Sequence, residues 1–408
     1  MPNCQDTLIM PIHPSAQPAA HSSTNPRYEW PLLHISFVLI GVITTMLGPV
    51  LSSFIHHWAL SDAQAGFFFT TQYFGSFLGV GLTSLLLPRL GFSKVTAVGF
   101  LSFIIGFSLL GVGPWSLAAI MVGINGFGYG LANPAINLRG TQIPSSNTAA
   151  AVTFLNFSWS VGAVLCPFLV GFLLPNIGIR GLSVTLALFS LVLCILHFLR
   201  PSETLPVRPA HPLADWVKHL RYPPAIPLLL LFFIYVGVEV AVGGWVATFE
   251  KRLSGMDGRV LAPAPSYFYG FLLLGRGISP LALRRIPQVI ISVGGLILAT
   301  SGAAVIAVSG APATLYVGAA MAGFGLAPQY PIFVTWLAAI FREDSNWLGA
   351  LFFGAAGLGG ALLPWLVGIV ASESHSLRAG LYIPLVSTVL MIFLALRARP
   401  THGHPVPV

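Results

Sequence analysis

Two charged residues interrupt long apolar stretches and are the first candidates for chemistry. Glu239 lies in the run 227–249, and Arg276 lies in the run 264–283. If these runs cross a membrane, each buried charge costs about 2.5–3.5 kcal/mol, so such residues face the bundle interior or water, or stay protonated. We predict that Glu239 carries a coupling proton or anchors substrate hydroxyls. The alternative is an inert ion pair, because a long guanidinium at position 276 could reach the carboxylate.

Amide and aromatic side chains form a second candidate group, because amides pair with the hydroxyls of a sugar and flat rings pack on its C–H faces. Asn133 and Asn137 are four residues apart and share a helix face, and Asn156 is three residues before Trp159. The alternative for each amide is a hydrogen bond between helices. Trp245 is expected to anchor at the membrane interface instead. The predicted substrate-binding residues are Gln72, Asn133, Asn137, Asn156, Trp159, Gln329 and Tyr330.

The composition identifies the elements that hold these residues as membrane helices. Only 7% of the 408 residues are charged and 55% are hydrophobic, whereas soluble domains carry about 25% charged residues. A run of about 20 apolar residues crosses the hydrocarbon core as a helix. We therefore predict an all-α integral membrane protein with twelve transmembrane helices. The predicted spans are 32–55, 64–87, 94–113, 115–138, 148–174, 181–199, 227–249, 264–283, 286–309, 313–340, 346–371 and 379–397.

The charges in the connections predict the orientation. If the N-terminus is cytoplasmic, thirteen basic residues lie in the inside segments and five in the outside segments, which favours both termini in the cytoplasm. The proline-rich stretch 200–226 resists helix and divides the predicted spans into two sets of six. The predicted domains are a disordered tail at 1–26, a six-helix bundle at 27–199, a cytoplasmic linker at 200–226, a second six-helix bundle at 227–397 and a tail at 398–408.

The two halves share an internal repeat. Gly126 and Pro134 of the fourth span match Gly323 and Pro331 of the tenth at a separation of 197 residues. The fifth and eleventh spans match at the same separation, from Gly162 with Gly359 onward. Fused repeats with parallel topology are typical of one large class of secondary transporters. The sequence therefore predicts two pseudo-symmetric bundles.

With these features the chain resembles the major facilitator superfamily, and within it the fucose-permease-like sugar transporters, from about residue 30 to 397. The segments that carry the resemblance are Gly66–Phe69 with Gln72–Gly75, Gly126–Asn137, Tyr235–Glu239 with Gly243–Trp245, and Leu274–Arg276. The resemblance implies alternating access, in which a central cavity between the halves opens to each side in turn.

The sequence departs from the family pattern at two places. In the predicted gating loop after the second span, Arg89, Gly91 and Lys94 fit the superfamily motif, but Pro88 stands where an aspartate is usual. The resemblance to fucose permease implies a proton symporter with carboxylates in its first and fourth helices. The first and fourth predicted spans of this chain contain no carboxylate. The proton-coupling scheme of the family therefore does not transfer directly, which leaves Glu239 as the candidate.

These features predict secondary active transport, most simply proton-coupled uptake of a sugar or similar small polar solute. Efflux of drugs or amphiphilic metabolites is the alternative, and a non-transporting receptor or scaffold is a third. We expect no enzyme activity and no cofactor, since the chain shows no nucleotide-binding glycine loop with lysine, no metal-ligand spacing and no nucleophile with a base. The expected partners are a small-molecule substrate, the lipid bilayer and protons, without nucleic acid. A monomer suffices, in a cell (inner or plasma) membrane.

Overall fold

A computed structural model describes residues 26–143, 148–201, 218–255 and 263–400. Within them the chain is helical and contains no β-strand. The helices are α1 (Pro26–Thr45), α2 (Leu47–Trp58), α3 (Asp62–Leu109), α4 (Trp115–Gln142), α5 (Thr148–Phe198), α6 (Ala225–Ser254), α7 (Ala264–Ala282), α8 (Gln288–Val308), α9 (Pro312–Leu326), α10 (Gln329–Phe341), α11 (Ser345–Glu373), α12 (Leu377–Gly380) and α13 (Tyr382–Ala398). The all-α membrane fold predicted from the sequence is confirmed.

Nine helical stretches of the described residues are long and apolar enough to cross a membrane. Two of them, α3 and most of α5, are 48 and 45 residues long, which exceeds twice the roughly 20 residues that one crossing needs. Each bends at a glycine with positive φ, Gly91 at 75° and Gly178 at 66°. A left-handed backbone is strained for residues with a Cβ, so glycine permits these two bends. With α7 as a further crossing this arrangement matches twelve spans, although that count stays a prediction.

The predicted domain boundaries also stay predictions. Most of the tail at 1–26, residues 202–217 of the linker and residues 401–408 of the second tail lie outside the described residues.

The glycines of the repeat make corresponding helix contacts in the two halves. Gly126 packs on the backbone oxygen of Gln72, and its counterpart Gly323 packs on the backbone oxygen of Phe268. In both pairs a Cβ on the glycine would overlap the facing backbone. Small residues allow membrane helices to approach this closely. The sequence repeat therefore corresponds to matched packing of two helix pairs. In the first half α3 packs on α4, and in the second half α7 packs on α9.

A second matched contact joins the first helix of each half to the fifth. Gly162 packs on the backbone oxygen of Val38, and Gly359 packs on that of Phe233. The two glycines are separated by 197 residues and their partners by 195. This separation aligns the first helix of one half with the first helix of the other half, position by position.

Charged residues are also buried just outside the predicted spans. Glu29 and Arg139 form a buried pair, with Nε–Oε1 and Nη2–Oε2 distances of 2.5 and 3.0 Å. Glu250 is fully buried and accepts hydrogen bonds from the Tyr316 hydroxyl and the Ala264 backbone N–H. Buried charge among the described residues is therefore not confined to Glu239 and Arg276. The helices extend one or more turns beyond the apolar runs, because paired charges can be buried at helix ends.

Candidate functional site

Glu239 and Arg276 meet in the middle of the molecule. Glu239 lies on α6 and Arg276 on α7, and Nη2 of the arginine is 3.4 Å from Oε2 of the glutamate. The same nitrogen donates to the Tyr235 hydroxyl at 3.3 Å. Tyr235 is one helical turn before Glu239, so the two side chains share a face of α6. The side chains of Arg276 and Glu239 are 26% and 13% exposed, which places the pair at a cleft rather than in a closed core.

Arg276 also contacts the other half of the protein. Its guanidinium carbon lies 5.8 Å from the centre of the Trp159 ring on α5, within the range of a cation–π interaction. The Trp159 indole N–H in turn donates to the Thr44 hydroxyl at 3.1 Å, and Gln72 donates to the Thr44 backbone oxygen at 3.2 Å. Thr44 lies beside the break between α1 and α2 at Met46. The ion pair therefore sits where the two halves face each other.

We call the set Thr44, Gln72, Trp159, Tyr235, Glu239 and Arg276 the central cluster. Tyrosines from several helices lie near it, within electrostatic range of Glu239. They supply hydroxyl groups and ring faces together. Besides Tyr235, these residues are Tyr73, Tyr129, Tyr269 and Tyr330.

Three asparagines continue the polar path from the central cluster. Asn156 donates to the Asn137 side-chain oxygen at 2.8 Å, and Asn137 donates to the Asn133 side-chain oxygen at 3.2 Å. Asn156 is exposed. Because Arg139 contacts Glu29 at the start of α1, this ladder leads toward the end of the bundle where α1 begins. The bond from Asn156 on α5 to Asn137 on α4 is the hydrogen bond between helices that the alternative interpretation expected. The ladder nevertheless ends at an exposed side chain, that of Asn156.

The other end of the bundle is closed by contacts between the halves. Asp62 on α3 and Arg252 on α6 form a bidentate pair with distances of 2.5 and 2.8 Å. Next to it the Ala63 backbone N–H donates to the Ser372 hydroxyl, and about two turns deeper Thr70 donates to the Ala361 backbone oxygen. We call this contact the far seal. It leaves a cleft that is closed at one end and lined by polar side chains toward the other.

Close packing at Gly48, Gly66 and Trp245 adds to the contacts of the far seal. Gly66 lies against the Trp365 backbone, and Gly48 lies against the backbone of Gly243 on α6. Trp245 is fully buried, and its indole N–H donates to the Pro364 backbone oxygen at 2.8 Å. The expectation that Trp245 anchors at the membrane interface is therefore wrong. Its indole finds a partner inside the second half, at Pro364 within α11.

Two groups of predicted residues lie apart from the central cluster. Gln329 is fully buried, and its amide bonds to the side chain and backbone of Ser292 and to the Gly325 backbone. It joins α8 to α9 and α10, so we leave it out of the site. In the predicted gating loop Gly91 forms the buried bend, while Arg89 and Lys94 are exposed. Their gating role stays a prediction.

Tyr330 was predicted from the sequence, whereas Thr44 and the other four tyrosines near Glu239 were not. The signal for Tyr235 was present, since a residue four positions before a buried glutamate shares its helix face. Thr44 offered no such signal, because its role depends on the helix break at Met46.

The sequence model of the Major Facilitator Superfamily matches residues 33–344. The chain belongs to this superfamily. The family resemblance inferred from the sequence is thereby confirmed, and the protein is a multi-pass member of a transporter superfamily.

Individual relatives cover nearly the whole chain. Human "Sodium-dependent glucose transporter 1" is 22% identical over 88% of this chain and 76% of its own length. The "Gallate transporter" of Pseudomonas putida is 24% identical over 92% of each. Among solved structures, a variant of the Escherichia coli fucose:proton symporter FucP superposes with a TM-score of 0.64 at 17% identity, covering 91% of this chain and 98% of that one. The structural match establishes the shared fold.

Proposed function

We propose that this superfamily member takes up a sugar or similar small polar solute together with a proton by alternating access. The observation that carries the proposal is the Glu239–Arg276 pair at 3.4 Å in a cleft between the halves. A carboxylate at this depth is stabilised by its partner, and a proton is the simplest replacement for that partner. Protonation of Glu239 would release Arg276 and let the facing helices rearrange around the bound solute.

The surroundings of the pair suit a hydroxylated solute. Tyrosine hydroxyls and the asparagine ladder can donate and accept hydrogen bonds, and Trp159 offers an aromatic face to C–H groups. The names of two relatives describe sugar carriers, one coupled to sodium and one to protons. The name of a third describes a carrier of gallate. These names support transport of a small hydroxylated solute.

The proposed orientation places both termini in the cytoplasm of a cell membrane, since most basic residues of the connections then lie inside. The far seal would then close the outer face of the transporter. Arg252 and Asp62 would have to separate for the cleft to open outward. One chain contains both halves, so we propose that a monomer carries out the transport cycle.

The test is uptake of a radiolabelled sugar panel into proteoliposomes, with an inward proton gradient, an inward sodium gradient or neither. We expect accumulation only with the proton gradient. Glu239→Gln should lose accumulation and keep exchange of labelled for unlabelled solute, because the neutral side chain cannot change its protonation state. Glu373→Gln removes an exposed carboxylate at the far end of α11 and is the matched control.

Each alternative has its own outcome. Accumulation driven only by sodium would overturn the proton coupling and leave the uptake of a polar solute. If no sugar moves under any gradient, the sugar assignment falls, and efflux of amphiphiles becomes the function to test. Accumulation that persists in Glu239→Gln would exclude Glu239 as the proton carrier.

A further inference from the structure

Arg276 is held more loosely than two other arginines that form ion pairs among the described residues. Arg139 makes two short bonds to Glu29, and Arg252 makes two short bonds to Asp62, all between 2.5 and 3.0 Å. Arg276 has one contact with Glu239, at 3.4 Å and through one oxygen. An arginine fork normally engages a carboxylate through two parallel bonds of about 2.7–2.9 Å. The central pair therefore lacks the geometry that the same protein achieves twice elsewhere.

The guanidinium of Arg276 has unused donors. Both of its hydrogen bonds, to Glu239 and to the Tyr235 hydroxyl, leave from Nη2. Nε and Nη1 have no hydrogen-bond partner among the residues that the structure describes. The side chain is nevertheless three-quarters buried, and unpaired donors at this depth are costly unless another group satisfies them. Water in the cleft can satisfy them. A carboxylate that displaces Glu239 or Tyr235 from Nη2 could instead bind in the fork that Nη2 forms with either of these nitrogens.

We propose that Arg276 is the binding site for the carboxylate of the transported solute, which is a carboxylate that also carries hydroxyl groups. This inference deepens the proposed function and rests on it. A carboxylate offers two oxygens in the plane that an arginine fork recognises. Arg276 is the one cation of the central cluster and Glu239 already lies beside it, so a singly charged anion fits the charge of the site better than a phosphate dianion.

The residues around Arg276 supply the rest of the recognition. Trp159 covers the guanidinium from the opposite half, so a carboxylate bound to the guanidinium would lie where the two halves meet. Tyr330 and Tyr129 lie within electrostatic reach of the same pair. Their hydroxyls, together with the ladder that ends at exposed Asn156, suit the hydroxyl groups of the solute.

Charge balance links this site to the proton. When a solute carboxylate takes over Arg276, Glu239 loses its partner in a water-poor environment, where a lone carboxylate is unfavourable. A proton on Glu239 removes that cost. One anion and one proton then cross together, so the loaded transporter carries no more net charge than the empty one. The inference therefore predicts electroneutral symport, whereas a neutral sugar with a proton would move positive charge.

The experiment uses two pairs of solutes that differ only in the carboxylate. They are D-glucuronate with D-glucose, and 3,4-dihydroxybenzoate with 3,4-dihydroxybenzamide. Binding is measured on the purified full chain by thermal stabilisation and calorimetry, and uptake is measured in proteoliposomes with an inward proton gradient. We expect at least one acid to bind at least tenfold more tightly than its neutral partner. At a fixed proton gradient, its uptake should not respond to a potential imposed with potassium and valinomycin.

Two variants test the assignment to Arg276. The double variant Glu239→Gln with Arg276→Gln removes both charges, so no buried charge is left alone, and it should lose the preference for the acid. Arg276→Lys keeps the charge but not the fork and should weaken acid binding about tenfold. Arg139→Lys is the matched control, since Arg139 pairs with Glu29 away from the central cluster, and it should leave the preference unchanged.

The outcomes separate this inference from the proposed function. If a neutral solute binds or accumulates as well as its acid, or if the double variant keeps the preference, the inference is overturned while solute uptake stands. If an acid binds through Arg276 but does not cross the membrane, the binding site stands and the transport proposal falls. If none of the four solutes binds or moves, the inference is rejected, and the sugar panel decides the proposed function separately.

Discussion

Loss of the Asp62–Arg252 pair should loosen the far seal and increase how often the cleft opens at that end. The Asp62 side chain is 11% exposed and that of Arg252 is 40% exposed, so solvent screens the pair in part. Exposed pairs contribute roughly 0.2–1 kcal/mol, and this bidentate, half-buried pair lies at the upper end of that range. Asp62→Asn should therefore raise the ratio of open to closed seals by about fivefold, since about 1.4 kcal/mol corresponds to a factor of ten.

The measurement is the rate at which a bulky maleimide modifies a cysteine placed inside the seal. Ala361 is buried there, and its backbone oxygen accepts the Thr70 hydroxyl. In a background without the three native cysteines, Ala361→Cys reacts only when the seal opens. If opening and closing are fast compared with modification, the rate follows the open population even when that population is small. We expect a rise of about fivefold for Asp62→Asn in nanodiscs.

Two further variants make this result specific to the pair. Glu373→Gln removes a carboxylate at the same end that makes no hydrogen bond or ion pair among the described residues, and it should leave the rate unchanged. Exchanging the partners, with Asp62→Arg and Arg252→Asp, should restore most of the protection. An unchanged rate in Asp62→Asn, or equal rates in Asp62→Asn and the exchanged variant, would refute the assignment of this pair to the seal.

Two stability predictions follow from packing and from buried charge. Gly126→Ala should lower the melting temperature in detergent, because its Cβ would overlap the backbone of the facing helix, at a cost of about 1–3 kcal/mol. Gly81→Ala is its control, since nothing lies within 4 Å of the added Cβ, and an equal loss in both variants would contradict the packing argument. Glu29→Gln should destabilise the protein by about 3–5 kcal/mol, because it leaves the buried Arg139 without its anionic partner. A melting temperature equal to that of Glu373→Gln would show that the Glu29–Arg139 pair does not hold the bundle together.

The fold could be predicted from the sequence because its signals are local or periodic. Long apolar runs predict membrane helices, and a constant separation of 197 residues between matched glycines indicates two related halves. Helix ends were harder to place. Arg139 and Glu250 extend their helices past the apolar runs, because each finds a buried partner that is distant in the sequence or on another helix.

The site could be predicted only in part. Glu239 and Arg276 stand out in the sequence because charge is rare in apolar runs, and the structure brings them together. The far seal gave no such signal, since Asp62 and Arg252 are 190 residues apart in predicted loops. Gln329 has the same chemistry as Gln72, yet one is enclosed between helices of the second half and the other reaches Thr44 near the cleft. Residue type alone does not distinguish these two positions.

The repeat identifies corresponding positions of the two halves, and at the central cluster these positions hold different residues. The register that relates Val38 to Phe233 also relates Thr44 to Glu239, so corresponding positions of the two first helices both lie at the cleft. In the first half the position holds a neutral hydroxyl that accepts a hydrogen bond from Trp159, and in the second half it holds a carboxylate beside Arg276. The symmetric glycines keep the helix packing of the two halves alike. The two halves therefore differ in charge at this position, and in this protein the charged side of the cleft belongs to the second half.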